Sequence, residues 1–233
     1  MLRSPAAESN LLSAVEMGQE DVVRLQIESD GVDINAKDEY GRTPLILAVE
    51  KGHEAVVRLL VERDGVDMNA RNEDGETPLI LAVQKGHEAV VQLLVQHKTV
   101  DLNCKDQDGR TPLILAVEKG HEAVVGLLTE IGTVDMNARV HDGRTSLILA
   151  VEKGCEAVVR LLVKRGDIDI NVRDSHGQTP LTLAIEKGHE AVVRLLTEKE
   201  DVDISVADKD GQTPLVLAVE KGREAIVGLL RDR

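Results

Sequence analysis

Apolar residues in this chain come in paired bursts. The first burst of a pair is a short run, Leu45-Ile46-Leu47-Ala48-Val49, opened by Thr43-Pro44 and closed by Lys51-Gly52. A threonine hydroxyl can cap the free amides of a helix start, and proline is tolerated at the first helical position. The spacing therefore predicts a short helix over 45–51, ended by Gly52 in a left-handed conformation. The second burst places Ala55, Val56, Leu59 and Leu60 at i, i+1, i+4 and i+5, an apolar stripe of helical period. Residues 63–76 (RDGVDMNARNEDGE) then supply β-favouring and turn residues ending in Asp-Gly, which predict a hairpin-like connection.

The whole pattern returns every 34 residues, with its threonine at 43, 77, 111, 145, 179 and 213. Neither helix is long enough to be stable alone in water. Each buries its stripe only against a neighbour, so the copies must stack, and the repetition is structural before it is anything else.

The sequence D-x-x-G-x-T-P-L, followed by A-x-x-x-G-H and V-V-x-L-L, resembles the ankyrin repeat over almost the whole chain. That resemblance implies an all-α repeat solenoid, an ankyrin-like stack of helix-turn-helix units with β-hairpin fingers projecting from one edge of a curved array. Two departures stand out. The histidine usual after T-P-L is replaced by Ile46, Ile80, Ile114, Ile148, Thr182 and Val216, so aliphatic packing is expected where the family motif implies a hydrogen bond. The period is also one residue longer than the commonest in the family, which places the extra residue in the turn after the second helix, at Arg63-Asp64-Gly65.

Residues 1–37 read as a degenerate N-terminal capping repeat, residues 38–207 as five full repeats, and residues 208–233 as a last, partial one. Ser9 stands where later copies have the capping threonine, and Ser13 and Gln26 stand where they have Leu47 and Leu60; polar residues fit a face without a preceding neighbour. The last copy keeps Leu215, Leu217, Ile226, Leu229 and Leu230, as if its outer face were to be covered. The fifth (RVHDGRTSLILAVEKGCEAVV) gathers Val140 for Asp, Ser146 for Pro and Cys155 for His, and is expected to be the soft point of the stack.

Composition narrows the function. There is no Phe or Trp and a single Tyr, Tyr40, so the core must be aliphatic. A formal charge of -14 repels nucleic acid and anionic membrane surfaces, and no apolar run approaches a membrane span. The first ten residues (MLRSPAAESN) carry no apolar leader core. Cys104 and Cys155 sit at different points of the repeat, which argues against a framework disulfide and for a cytoplasmic or other reducing intracellular compartment.

Catalytic chemistry finds no foothold. His53, His87, His121 and His189 share one repeat position, but packed helices lie about 8–10 Å apart, too far for ligands that zinc needs at about 2 Å. Their expected role is to hydrogen-bond the inter-helix turns. The Glu-Lys pairs from Glu50-Lys51 to Glu220-Lys221 are too alike to give two carboxylates with different tasks. No phosphate-binding glycine loop is present. Neither an enzyme, nor a metal, nor a cofactor is expected.

If repeated positions are scaffold, function lies where the copies differ, and they differ at the finger tips. The candidate contacts are Glu39, Tyr40 and Arg42; Glu73, Asp74 and Glu76; Gln107, Asp108 and Arg110; His141, Asp142 and Arg144; Ser175, His176 and Gln178; and Lys209, Asp210 and Gln212. A cationic column, Lys37, Arg71, Lys105, Arg139 and Arg173, precedes them and breaks at Ala207. In ankyrin-like proteins the fingers and the exposed side of the first helix form the concave binding face. The expected function is a non-enzymatic protein-protein interaction scaffold for a polar or charged protein surface. The alternatives are a structural array with weak self-association through its C-terminal end, or the recognition fragment of a larger protein.

Overall fold

Each of the six threonines turns its hydroxyl onto a helix start. In the computed structural model, Oγ1 of Thr43, Thr77, Thr111, Thr145, Thr179 and Thr213 accepts the amide of the third residue on, at 3.2–3.4 Å. Five of these helices begin with proline and one with Ser146. The first stops at Gly52, whose φ of +71° is open to glycine and strained for other residues. A Cβ there would also stand 3.1 Å from the His87 ring of the next repeat.

The structure describes residues 5–29 and 31–233, with the backbone alone for residues 5–9. Residues 1–4 of the N-terminal stretch, and the side chain of Ser9, lie outside the described residues. The helices fall into two compact units, Met1–Gln107 and Asp108–Arg233.

In the first unit, α1 (Pro5–Glu16), α3 (Pro44–Lys51) and α5 (Pro78–Lys85) form one row. The row formed by α2 (Glu20–Ile27), α4 (Glu54–Val61) and α6 (Glu88–Val95) lies behind it. Neighbours pack along each row, and each pair closes on itself. On α4 the buried residues are Val56, Val57, Leu59 and Leu60. Ala55 is exposed, contrary to the stripe read from the sequence, because the helix begins at Glu54 and its first turn points that side chain outward. In the degenerate repeat Ser13 is exposed and Gln26 half-buried, and α1 starts at Pro5 instead of at a cap near Ser9.

The second unit repeats this plan. Its front row is α7 (Pro112–Lys119), α9 (Ser146–Glu152), α11 (Pro180–Lys187) and α13 (Pro214–Glu220). Its rear row is α8 (Glu122–Thr129), α10 (Glu156–Leu162), α12 (Glu190–Thr197) and α14 (Glu224–Arg231). The aliphatic slot after T-P-L is filled as expected at Ile114 and Ile148, each 1% exposed. Thr182 departs from aliphatic packing: its hydroxyl accepts the Thr179 amide at 2.8 Å and donates to the Thr179 carbonyl at 3.0 Å, completing a capping box. On the last pair, Leu217, Ile226 and Leu230 are buried and Leu215 and Leu229 half-buried; the bare apolar residues are Val216 and Val219 instead.

Hydrogen bonds along the finger bases set the register between repeats. Asn35 donates Nδ2 to the Gly65 carbonyl (2.7 Å) and accepts the Asp67 amide (2.8 Å). Asn69 does the same to Thr99 and Asp101, Asn137 to Asp167 and Asp169, and Asn171 to Asp201 and Asp203. Ser205, in the asparagine position of the next repeat, turns its hydroxyl onto Asp203. At the enlarged turn, Gly65 takes φ +86° and Arg63 reaches back to the Ile27 carbonyl at 2.8 Å.

The expected β-hairpins do not form: among the described residues there is no strand. In the second finger the amide of Asp38 donates to the Arg42 carbonyl, and that of Gly41 to the Asp38 carbonyl. The five residues 38–42 are too few to continue such a pair into a ladder. In the fifth finger the same pair survives between Val140 and Arg144, and Asp142 takes over the carboxylate role that Val140 cannot fill.

Candidate functional site

Five fingers are built on a side chain, Asp38, Asn72, Asp142, Asp174 or Asp208, that accepts from its own loop. Asp38 Oδ1 takes the amides of Tyr40 (3.0 Å) and Arg42 (2.8 Å), while Oδ2 takes Arg42 Nε at 2.8 Å. Burial opposes the charge on Asp38, but the Arg42 amide and guanidinium and the Tyr40 amide outweigh it and hold the carboxyl below its ordinary value. Asp142 is held low in the same way, against burial, by the amide and guanidinium of Arg144.

This geometry divides the candidate residues into two kinds. The last residue of five of the six sets leans onto the first helix. Arg42 reaches Glu50 at 3.1 Å, Arg110 reaches Glu118 at 3.3 Å, and Arg144 reaches Glu152 at 3.0 Å. Gln178 bonds Glu186, and Gln212 bonds Glu220 at 2.6 Å. In the third finger the charge is reversed: Glu76 accepts from Asn72 at 3.0 Å, and Gln84 occupies the helix position that Glu50 has one repeat earlier. All six are half-buried, and five of them, all but Glu76, are struts between finger and helix. The tip residues before them, Glu39, Tyr40, Glu73, Asp74, Gln107, Asp108, His141, Asp142, Ser175, His176, Lys209 and Asp210, are exposed.

The cationic column is also scaffold. Lys37 Nζ donates to the Arg71 carbonyl at 3.1 Å, Arg71 Nη1 to the Lys105 carbonyl at 2.9 Å, and Arg139 Nη1 to the Arg173 carbonyl at 2.8 Å. These three cations fasten their fingers to the next, while Arg173 bonds the Gly177 carbonyl of its own finger. Two backbone bonds add to this, from the Glu73 amide to the Tyr40 carbonyl (3.1 Å) and from the Ser175 amide to the Asp142 carbonyl (3.2 Å).

Grooves run between the fingers. One of about 450 Å³ lies between the second and third, with Tyr40, Glu73, Asp74 and Leu81 in its lining. Another of about 600 Å³, in the second unit, has Arg144, Glu152, His176, Glu186 and Asp210 among its walls.

At the shared histidine position, two side chains bond the turns, while His121 Nε2 is buried with no hydrogen-bond partner among the described residues. His53 donates Nε2 to the Glu16 carbonyl (3.1 Å) and His189 to the Glu152 carbonyl (3.3 Å). Cys155 occupies the same helix-capping slot in its repeat. Cys104 is buried beside the Thr77 hydroxyl at 3.2 Å, and burial raises its thiol pKa; neither cysteine is disulfide-bonded. Among the described residues no group of three or more His, Cys, Asp or Glu is placed to hold a metal, and no helix is long and apolar enough to cross a membrane.

A family model described as ankyrin repeats (3 copies) matches residues 11–106, 97–174 and 167–233. The chain belongs to the ankyrin repeat family. Among solved structures it is similar to the ankyrin repeat domain of Bcl-3, a member of the IkappaB protein family. The two are 30% identical with a TM-score of 0.84, and the match covers 95% of this chain and 97% of that one. No curated protein matches the chain. Membership makes it a protein-interaction scaffold in general terms.

Proposed function

We propose that the chain is a non-enzymatic interaction module that holds another protein at its finger tips and along the exposed side of its first helices. One observation carries this reading. The residues that differ between copies stand exposed at the tips, while the repeated residues beneath them are committed to caps, struts and finger-to-finger bonds. A scaffold that spends its constant positions on holding the fingers leaves its variable ones to a partner. The tips are polar and of mixed sign, so the partner presents a charged or polar surface and binding weakens with salt.

The test is capture from a cell extract at low and moderate salt, with the parent chain and a variant carrying alanine at Tyr40, Glu73, Asp108, His141, His176 and Lys209. Proteins held by the parent and lost by the variant, at unchanged helicity and melting, support the reading. Equal capture by both removes it.

A second reading rests on Val216 and Val219, which are 45% and 55% exposed. A second copy stacked on α13 would cover them. Sedimentation that stays monomeric at high concentration rules this out.

A further inference from the structure

The second finger carries the only aromatic side chain of the sequence, and that ring does nothing for the core: Tyr40 is 53% exposed. Its place is fixed nonetheless. Its amide donates to Asp38 at 3.0 Å and its carbonyl accepts the Glu73 amide at 3.1 Å. The Arg42 guanidinium lies over its ring, 4.9 Å from the centroid, and is itself held by Asp38 and Glu50. A ring fixed in this way loses little freedom when a partner lands on it.

Around the ring the charge is unbalanced. Glu39, Glu73 and Asp74 are exposed and form no ion pair among the described residues, while the adjacent cations Lys37 and Arg42 are already committed. Lys85, in the lining of the same groove, offsets part of the excess. The groove of about 450 Å³ suits one long side chain. Leu81, 5% exposed, gives it an apolar patch for an aliphatic stem, and the Glu73 and Asp74 carboxylates in its lining, with Glu39 next to Tyr40 in the chain, supply the counter-charge for a cationic head. The chain's own Arg42 shows the ring accepting a cation on its face.

We propose that Tyr40, with Glu39, Glu73 and Asp74, forms the docking surface for a lysine- or arginine-bearing segment of the partner protein. This deepens the reading of the fingers as a partner-binding edge and rests on it. An anionic segment is repelled by the same carboxylates, and an apolar one finds too little apolar surface.

The experiment titrates a fluorescein-labelled peptide of alternating lysine and alanine against the parent chain, with the glutamate-alanine peptide as control. The variants are Tyr40→Leu, Tyr40→Phe, Asp74→Asn and Asp210→Asn. The last removes the same charge from an exposed tip in the second unit. The lysine peptide should bind and its counterpart should not. Tyr40→Leu should weaken binding about 3–5-fold, the range of an exposed cation–π contact, and Tyr40→Phe should leave it unchanged. Asp74→Asn should weaken it about 3-fold, as expected for one nearby charge, and Asp210→Asn should not.

Indifference to Tyr40→Leu, or equal weakening by Asp74→Asn and Asp210→Asn, overturns the proposal in favour of diffuse attraction to an acidic chain. Capture from extract then separates the two levels. Capture that survives Tyr40→Leu but needs the second-unit tips sinks this docking surface and spares the general reading. Capture indifferent to every tip removes the general reading, and the peptide titration alone then decides the surface.

Discussion

The helices α9 and α13 have nearly the same sequence, SLILAVE and PLVLAVE, and very different surroundings. On α9, Ile148 and Val151 are 1% and 0% exposed; at the same places on α13, Val216 and Val219 are 45% and 55% exposed. What differs is the neighbour. A repeat supplies half of each interface, so the worth of an apolar residue is set by the repeat beside it.

The same substitution at both places should break that symmetry. Val151→Ala is expected to cost about 2 kcal/mol, the lost transfer of two methyl groups plus a cavity. Val219→Ala should cost well under about 0.5 kcal/mol, as surface changes do. Denaturant midpoints of the two variants decide it, and similar shifts would refute the neighbour argument.

Asn171→Ala comes next. It removes two bonds to the following repeat while leaving the apolar contacts alone. At about 0.5–1.5 kcal/mol per hydrogen bond, the loss should be about 1–2 kcal/mol. Ser205→Ala, where the hydroxyl bonds only its own loop, should cost less in the same melt.

Asp38→Asn sharpens the comparison from the other side, because the bonds that Asp38 makes stay within its own finger and need no neighbouring repeat. The folded-state carboxyl titrates below its ordinary value, so its contribution is present above the unfolded value and is lost as pH falls through the lower folded one. The variant should be about 1 kcal/mol less stable near neutrality. That gap should close below about pH 4, near the reference carboxylate value. A gap independent of pH would show that the charge is not involved.

The smallest effect concerns the fifth repeat, where Val140 and Ser146 replace a finger carboxylate and a helix-opening proline. Its amides should exchange faster than those of the sixth, and equal protection would remove the difference.

Much of this architecture was legible because its signals are local. Thr43-Pro44 and Gly52 mark a helix start and stop by chemistry that needs no partner, and the 34-residue spacing shows that the partner is another copy. What escaped depends on three dimensions. The outward turn of Ala55 depends on where α4 begins. The hydroxyl of Thr182 found a backbone partner, where its position in the repeat argued for apolar packing. Hairpin composition overstated the fingers, because their loops are closed by Asx bonds and are too short for a ladder. At the candidate site, difference between copies located the exposed tips and also swept in the struts. Arg42 and Gln178 look variable one at a time and become regular only beside Glu50 and Glu186. The cationic column carried the opposite clue. Its charge stays constant from Lys37 to Arg173, and three of its members, Lys37, Arg71 and Arg139, tie one finger to the next.

Tyr40 also has an optical consequence. With no tryptophan and no second tyrosine, the intrinsic ultraviolet emission of the chain comes from one ring at the tip of one loop. An unfolding curve followed by that emission reports the second finger, whereas circular dichroism reports the helices. Where the two curves separate, the finger has loosened on a stack that is still standing.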